Sequence, residues 1–258
     1  MTDIEGFALR HDGPITFLSL DRAAHKNAIP EAMWLALPGL LTDLAARPAC
    51  RVLVLEAEGD VFCAGADIRE FASVYETPQR AARYSAAIRD GLNALEAFPH
   101  PTIAAIQGPC VGGGVALALS CDIKFASDTV HFAITPAKLG LTYPFSDIAR
   151  LARCVGPSRA KDLLFSARKV SATEALHLNL IDYCVLKSEL KNRVGSYAIT
   201  LSQNSAQSLS AMKTLIAWVG QGQCIESDET RQIFQDAFSS DDFKEGYQAF
   251  LDKRPPKF

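Results

Sequence analysis

No apolar run in this sequence approaches the roughly 20 residues that a bilayer-spanning helix needs, so no membrane partner is expected. There is no excess of positive charge: 26 Lys and Arg stand against 29 Asp and Glu, for a net charge of −3. The basic residues are scattered, which leaves nucleic acid without an electrostatic footprint. Cysteine is present seven times, yet no Cys-x-x-Cys pair occurs and the number is odd. Cys63, Cys110, Cys121 and Cys184 sit in apolar company, where a thiol behaves as a small buried hydrophobe. No metal site is expected, and the reducing cytoplasm is the compartment that fits. The start Met1-Thr2-Asp3-Ile4-Glu5 is acidic, unlike a signal peptide. Gly-x-Gly-x-x-Gly and P-loop patterns are missing, which disfavours dinucleotide or nucleotide phosphates as ligands. No fixed-period repeat is found.

What is there centres on residues 103–119. An apolar, partly β-branched run from Ile103 reads as a buried strand, breaks at Gly108-Pro109, passes through Gly112-Gly113-Gly114 and resumes as a buried helix from the third glycine. Glycine backbone can be approached closely, and the first N–H groups of a helix lack internal partners, so the turn can face an anionic oxygen. It can equally serve only a tight turn and close helix–strand packing. Val52 to Leu55 is a second buried strand, and it opens into another glycine-bearing turn, Glu58 to Phe71.

Around these turns the pattern alternates strand and helix, which argues for an α/β layer architecture. Ile4 to Arg10 and Ile15 to Leu20 read as a hairpin. Residues 31–46 have helical spacing with a kink or break at Pro38-Gly39. Gln79 to Phe98 forms a long helix, and His100 lies in a loop. Short strands are expected at 121–126 and 130–133, an irregular loop at 135–144, two proline-bounded helices to about Arg168, a helix at 173–179 and a strand at 180–186. From Lys187 onward only helices are expected: 190–202, 206–219, 226–238 and 242–251. The division is therefore a core of 1–195 and a helical C-terminal region of 196–258 that must pack on the core or on another subunit.

Two glycine turns, each after a buried strand, could aim two backbone N–H groups at one oxygen, as in an oxyanion hole. Here the chain resembles the enoyl-CoA hydratase/isomerase, or crotonase, family. The resemblance rests on Phe62-Cys63-Ala64-Gly65-Ala66-Asp67-Ile68, Ile103 to Gly114, Ser120-Cys121-Asp122, Lys138-Leu139-Gly140-Leu141 and the terminal run Phe250 to Phe258. It implies a ββα spiral core, a helical C-terminal trimerisation region, a homotrimer or a hexamer built as a dimer of trimers, and an acyl-CoA substrate with no separate cofactor. The N–H groups of Ala66 and Gly113 match the family's oxyanion donors. The resemblance places CoA contacts on the loop bearing Arg22, His25, Lys26 and Ala28, on the turn at Ala64, Asp67 and Ile68, and on Phe250 and Lys253, which can reach a neighbour's CoA. Asp67 also has capping-box spacing with Glu70, and capping is its default role.

The family's two hydratase glutamates are replaced by Ala116 and Pro136, neither of which moves a proton. Hydratase activity is expected to be impaired, which leaves a divergent lyase or isomerase acting through an enolate. Tyr143 and the 227–258 run are similar to the methylmalonyl-CoA decarboxylase branch, although that branch carries a histidine at Ala66 and a glutamate at Ala116. A malonyl-type decarboxylase and a catalytically weak acyl-CoA-binding protein are the alternatives. Tyr143 either packs its turn or meets the substrate as a protonated phenol. Asp147 either starts a helix or projects toward the acyl group. Glu70, Tyr75 and His131 are weaker candidates.

Overall fold

The structure, a computed structural model, describes residues 4–258; Met1 to Asp3, part of the acidic start, lie outside the described residues. Strands β1 (Phe7–Asp12) and β2 (Ile15–Leu20) form the expected antiparallel hairpin. Helix α1 (Glu31–Ala45) leads to β3 (Val52–Ala57), then to the short α2 (Phe71–Val74) and the long α3 (Pro78–Glu96), capped by the Thr77 hydroxyl. Strands β4 (Thr102–Ile106) and β5 (Cys110–Val111) flank Gly108-Pro109 and lead into α4 (Gly113–Leu119). Then come β6 (Ile123–Ser127), β7 (His131–Ala133), α5 (Phe145–Val155), α6 (Pro157–Ser166), β8 (Val170–Ser171), α7 (Ala172–His177) and β9 (Tyr183–Val185). Four helices finish the chain: α8 (Leu190–Ser202), α9 (Ala206–Gly220), α10 (Asp228–Ser239) and α11 (Asp241–Leu251).

The main sheet runs β1-β2-β3-β4-β6-β9 and is parallel from β2 onward, while β5, β7 and β8 form a small second sheet. The central strands β2 and β4, and β3 over Val52–Leu55, are buried on both faces, as their apolar composition requires, whereas the edge strands β1 and β9 are partly exposed. Leu53, Leu55, Ala104 and Ile106 face α1 and α3, whereas Val52, Val54, Ile103 and Ala105 face Leu190, Val194 and Ala198 of α8. Alternation with period two assigns neighbouring residues to opposite cores. Residue 195, the expected boundary, falls inside α8. Helices α9 and α10 bury no side chain and expose Ile216, Phe234 and Phe238.

Several local expectations are corrected. α1 continues through Pro38 rather than breaking. A mid-helix proline costs about 3 kcal/mol, but Met33, Trp34, Leu37, Leu40, Leu41 and Leu44 are buried on both sides of it, each worth about 1.5–3 kcal/mol. Packing outweighs the lost N–H. α4 begins at Gly113, one residue before the expected start, because Gly112 takes the cap position with φ of 53°. The loop at 135–144 contains a 3₁₀ turn, Pro136–Leu139. β5 and β8 are two residues each, too short to leave a periodic signal. Cys184 is only half-buried.

Two glycines test this packing in opposite directions. A Cβ on Gly108 would stand 1.8 Å from the Asp60 carbonyl oxygen, whereas one on Gly39 in exposed helix surface meets nothing within 4 Å. Gly108→Ala is expected to cost at least about 3 kcal/mol. Gly39→Ala should stabilise by about 0.5–1 kcal/mol. Urea unfolding of both variants measures the contrast, and equal effects would refute it.

Candidate active site

The turn after β3 and the turn after β4 lie side by side, joined through backbone. Val111 N–H donates to the Cys63 carbonyl at 2.9 Å and Cys63 N–H to the Pro109 carbonyl at 3.2 Å. On the other flank Ile29 N–H donates to Gly65 at 2.8 Å and Asp67 N–H to Ile29 at 3.0 Å. Gly65 has φ of 100°, and a Cβ there would sit 3.0 Å from the Val111 oxygen and 3.2 Å from the Gly113 nitrogen. The Ala66 nitrogen lies 3.5 Å from where a Gly113 Cβ would be. The amide groups of Ala66 and Gly113 are thus close neighbours. Among the described residues neither N–H has an intramolecular acceptor, so both are free to donate to a ligand.

Both amides border a cavity of about 250 Å³. Its walls are mainly apolar: Trp34 from α1, Phe71 and Tyr75 at α2, Ile88 from α3, Leu139 from the 3₁₀ turn and Leu141 just after it. Tyr143 and Asp147, both singled out in the sequence, line it as well. Pro136 lines the cavity without a titratable atom, and Ala116 is fully buried on α4. Glu70 does not complete a capping box with Asp67; its carboxylate accepts the Glu31 N–H at the start of α1, at 2.7 Å. His131 pairs in β7 with Ser171 and lies outside the cavity.

Asp147 is the cavity's one carboxyl among the described residues. It stands in the first turn of α5, but Pro144 holds the cap position, so Asp147 is not the helix cap. The side chain is buried and accepts from Arg150 Nη1 at 3.1 Å and from the Ser146 hydroxyl at 3.3 Å. Burial pushes its pKa above the ordinary carboxylate value, and Arg150 opposes that rise without cancelling it. The reason is on α3: the same guanidinium also donates to Glu96 at 2.8 Å and to Asn93 at 2.6 Å, which divides its charge. Tyr143 is buried, its pKa raised well above the ordinary phenol value chiefly by burial. It remains a neutral donor, bonding the Gly112 carbonyl at 3.1 Å, and so both packs the turn and borders the cavity. The Cys63 thiol beside the turn is pushed up to about 12 by burial, which leaves it an unreactive filler.

The loop bearing Arg22, His25, Lys26 and Ala28 is stitched to the turn at Ala64, Asp67 and Ile68. Ala64 N–H donates to the Lys26 carbonyl at 3.0 Å, and Arg22 reaches both the Ala28 carbonyl and Asp67. Asn27, which no sequence signal distinguished, locks the arrangement by donating to the Glu58 and Val61 carbonyls at 2.8 and 2.7 Å. Asp67 is buried between Arg69 and Arg22, caps the 3₁₀ turn Ile68–Glu70, and has its pKa held well below the carboxylate range, first by Arg69. Arg69 also meets the His25 ring at 3.2 Å. Phe250 and Lys253 lie exposed at the C-terminal end, outside this chain's cavity.

An α/β core with paired free amides over an apolar cavity defines the class as a crotonase-type fold. The family model for enoyl-CoA hydratase/isomerase matches residues 10–258, and the chain belongs to that family, whose members are enzymes acting on CoA thioesters. It is similar to the enoyl-CoA hydratase/isomerase family protein of Hyphomonas neptunium, at 39% identity and TM-score 0.95, covering 98% of this chain and 97% of that one. An enoyl-CoA hydratase/carnithine racemase from Magnetospirillum magneticum shows TM-score 0.95 at 28% identity, covering 99% and 96%. An enoyl-CoA isomerase/hydratase of Mycosarcoma maydis is 32% identical over 251 residues, 93% of this chain and 91% of the relative.

The Asp67 cluster has a definite sign with pH. Asp67 binds its proton more weakly folded than unfolded, so its stabilisation is complete above the unfolded carboxylate pKa of about 4 and is lost as pH falls below that. Solvent around exposed Arg69 keeps the effect moderate. Asp67→Asn is expected to cost about 1–2 kcal/mol at pH 7 and to flatten the acid limb of a stability–pH curve. An unaltered limb in urea titrations would remove Asp67 from this role.

Proposed function

We propose that this protein binds an acyl-CoA thioester, holds the thioester carbonyl oxygen between the N–H groups of Ala66 and Gly113, and stabilises the enolate formed when the adjacent carbon loses a proton. The observation that carries this reading is the pair of amides that, among the described residues, have no acceptor and stand beside the cavity's single buried carboxyl. One such donor is worth roughly 3–4 kcal/mol of barrier. Arg22, His25 and Lys26 would meet the CoA portion together with the backbone at Ala28, Ala64, Asp67 and Ile68, and the CoA arrives as part of the substrate. Region 196–258, with its exposed Ile216, Phe234 and Phe238, supplies a trimer surface from which Phe250 and Lys253 reach a neighbour's CoA; two trimers could pair into a hexamer.

Asp147 is the proton-transfer group in this scheme. Hydration needs one group to activate water and another to protonate carbon, and Ala116 and Pro136 supply neither. Moving a double bond needs one group that takes a proton from one carbon and returns it to another. A single carboxyl suits isomerisation better than hydration. Decarboxylation of a malonyl-type thioester gains support from Tyr143 in the cavity wall, but its hydroxyl already serves the Gly112 carbonyl. Among the described lining residues none is cationic, so the substrate's free carboxylate would face Asp147 without a counter-charge of its own.

The test supplies a 3-enoyl-CoA, crotonyl-CoA and methylmalonyl-CoA in deuterated water and follows thioester absorbance, CO₂ release and deuterium at the α-carbon. Double-bond migration with α-exchange is expected. Asp147→Asn should reduce it by about 10²- to 10⁴-fold, and the parent's rate should fall with acid at a pH above the ordinary carboxylate value of about 4. Fast hydration of crotonyl-CoA would refute the single-carboxyl argument. CO₂ release would put decarboxylation first, and binding without any turnover would mark an acyl-CoA-binding protein.

A further inference from the structure

Trp34 is a wall shared by two spaces. On one side is the site cavity; on the other is a small void of about 10 Å³ bounded by Leu18, Leu20, Leu37, Leu55, Leu95 and Leu117. The indole is 1% exposed and held at opposite corners of its six-membered ring. A Cβ on Gly91 of α3 would lie 3.4 Å from Cε3, and one on Gly113 would lie 3.5 Å from Cζ2. The ring therefore spans from α3 to the turn that carries the Gly113 amide and borders both cavity and void. Gly91 belongs to the same arrangement, since a Cβ there would also press to 3.2 Å on the Trp34 carbonyl.

The indole N–H is buried with no hydrogen-bond partner. Leaving a buried donor unpaired is costly, and a leucine or phenylalanine at this position would avoid that cost. Simple space-filling thus does not account for a tryptophan; the reach of its ring does. The void behind it is lined by hydrocarbon alone, so only an apolar chain could enter.

We propose that Trp34 sets the depth of the acyl pocket, restricting this protein to short acyl groups by filling the pocket's inner end with its indole. This rests on the acyl-CoA reading above. Shortening Trp34 vacates much of the indole's own volume beside that small void and gives a longer chain somewhere to go.

Calorimetric titration of butanoyl-, hexanoyl-, octanoyl- and decanoyl-CoA into the parent, Trp34→Leu and Trp34→Ala tests the proposal without requiring the reaction to be known. The readout is the ratio of octanoyl-CoA to butanoyl-CoA Kd. The parent should favour butanoyl-CoA. Each additional buried methylene is worth about fourfold in affinity, so room for two more should lower the ratio roughly 15-fold in the variants. Trp34→Leu is included because the alanine variant removes more packing; circular dichroism confirms that each variant is folded. An equal ratio in all folded proteins, or a parent that prefers octanoyl-CoA, overturns the role of Trp34. A folded parent that binds none of the four thioesters overturns the acyl-CoA reading itself.

Discussion

Close approach of backbone to backbone between the two glycine turns is the constraint on which the site depends. Three positions enforce it: Gly108 lies over the Asp60 carbonyl, Gly114 over Cys63, and Gly65 against the Val111 oxygen and Gly113 nitrogen. Any side chain there would separate the turns. Glycine loses more conformational freedom on folding than other residues, so these positions cost stability unless contact returns it. The return is partly in backbone hydrogen bonds such as Val111 to Cys63, and partly in two amides whose spacing is fixed before any ligand arrives. Donors fixed in advance need no reorganisation as charge develops on a bound oxygen.

Two buried aspartates divide the electrostatic work around these turns. Asp67 is surrounded by donors, two of them guanidinium groups, and its charge is stabilised. It acts as a fixed strut joining the Arg22 loop to the turn. Asp147 has only part of one guanidinium, because Arg150 is also committed to Glu96 and Asn93. Its charge is poorly compensated, so burial prevails and proton affinity rises. The same side chain becomes a strut or a titrating group according to how many donors reach it.

The strand–turn–helix units were legible because their apolar runs and glycines are contiguous. The hairpin, β3, β4, α3 and the closing helices all follow from local pattern. The break allowed for at Pro38 does not occur, because six buried side chains decide there rather than a local rule. Tyr143 and Asp147 could be picked out through the family resemblance of the segment that carries them, but their surroundings could not. Arg150 and its partners on α3 are more than 50 residues apart in sequence, a separation that periodicity does not register. Trp34 read as one apolar helix position among several. Only the packing of Gly91 and Gly113 against opposite corners of its ring gives it a distinct place.

Ala116 and Pro136, the positions the family resemblance matches to glutamates, have different surroundings. Ala116 lies at 0% exposure within α4, where a carboxyl would have to be desolvated or provided with partners. Alanine relieves that demand and lets α4 pack closely. Pro136 remains on the cavity wall and starts a 3₁₀ turn, where its fixed φ and missing N–H suit the first helical position. That wall is therefore stiffened by proline and carries no titratable atom at 136. The carboxyl that remains comes from α5, a rigid helix tied to α3 through Arg150, rather than from the loop. Under the proposed reading, a proton carrier mounted this way is held at a single place, which suits transfer between two carbons of one bound chain.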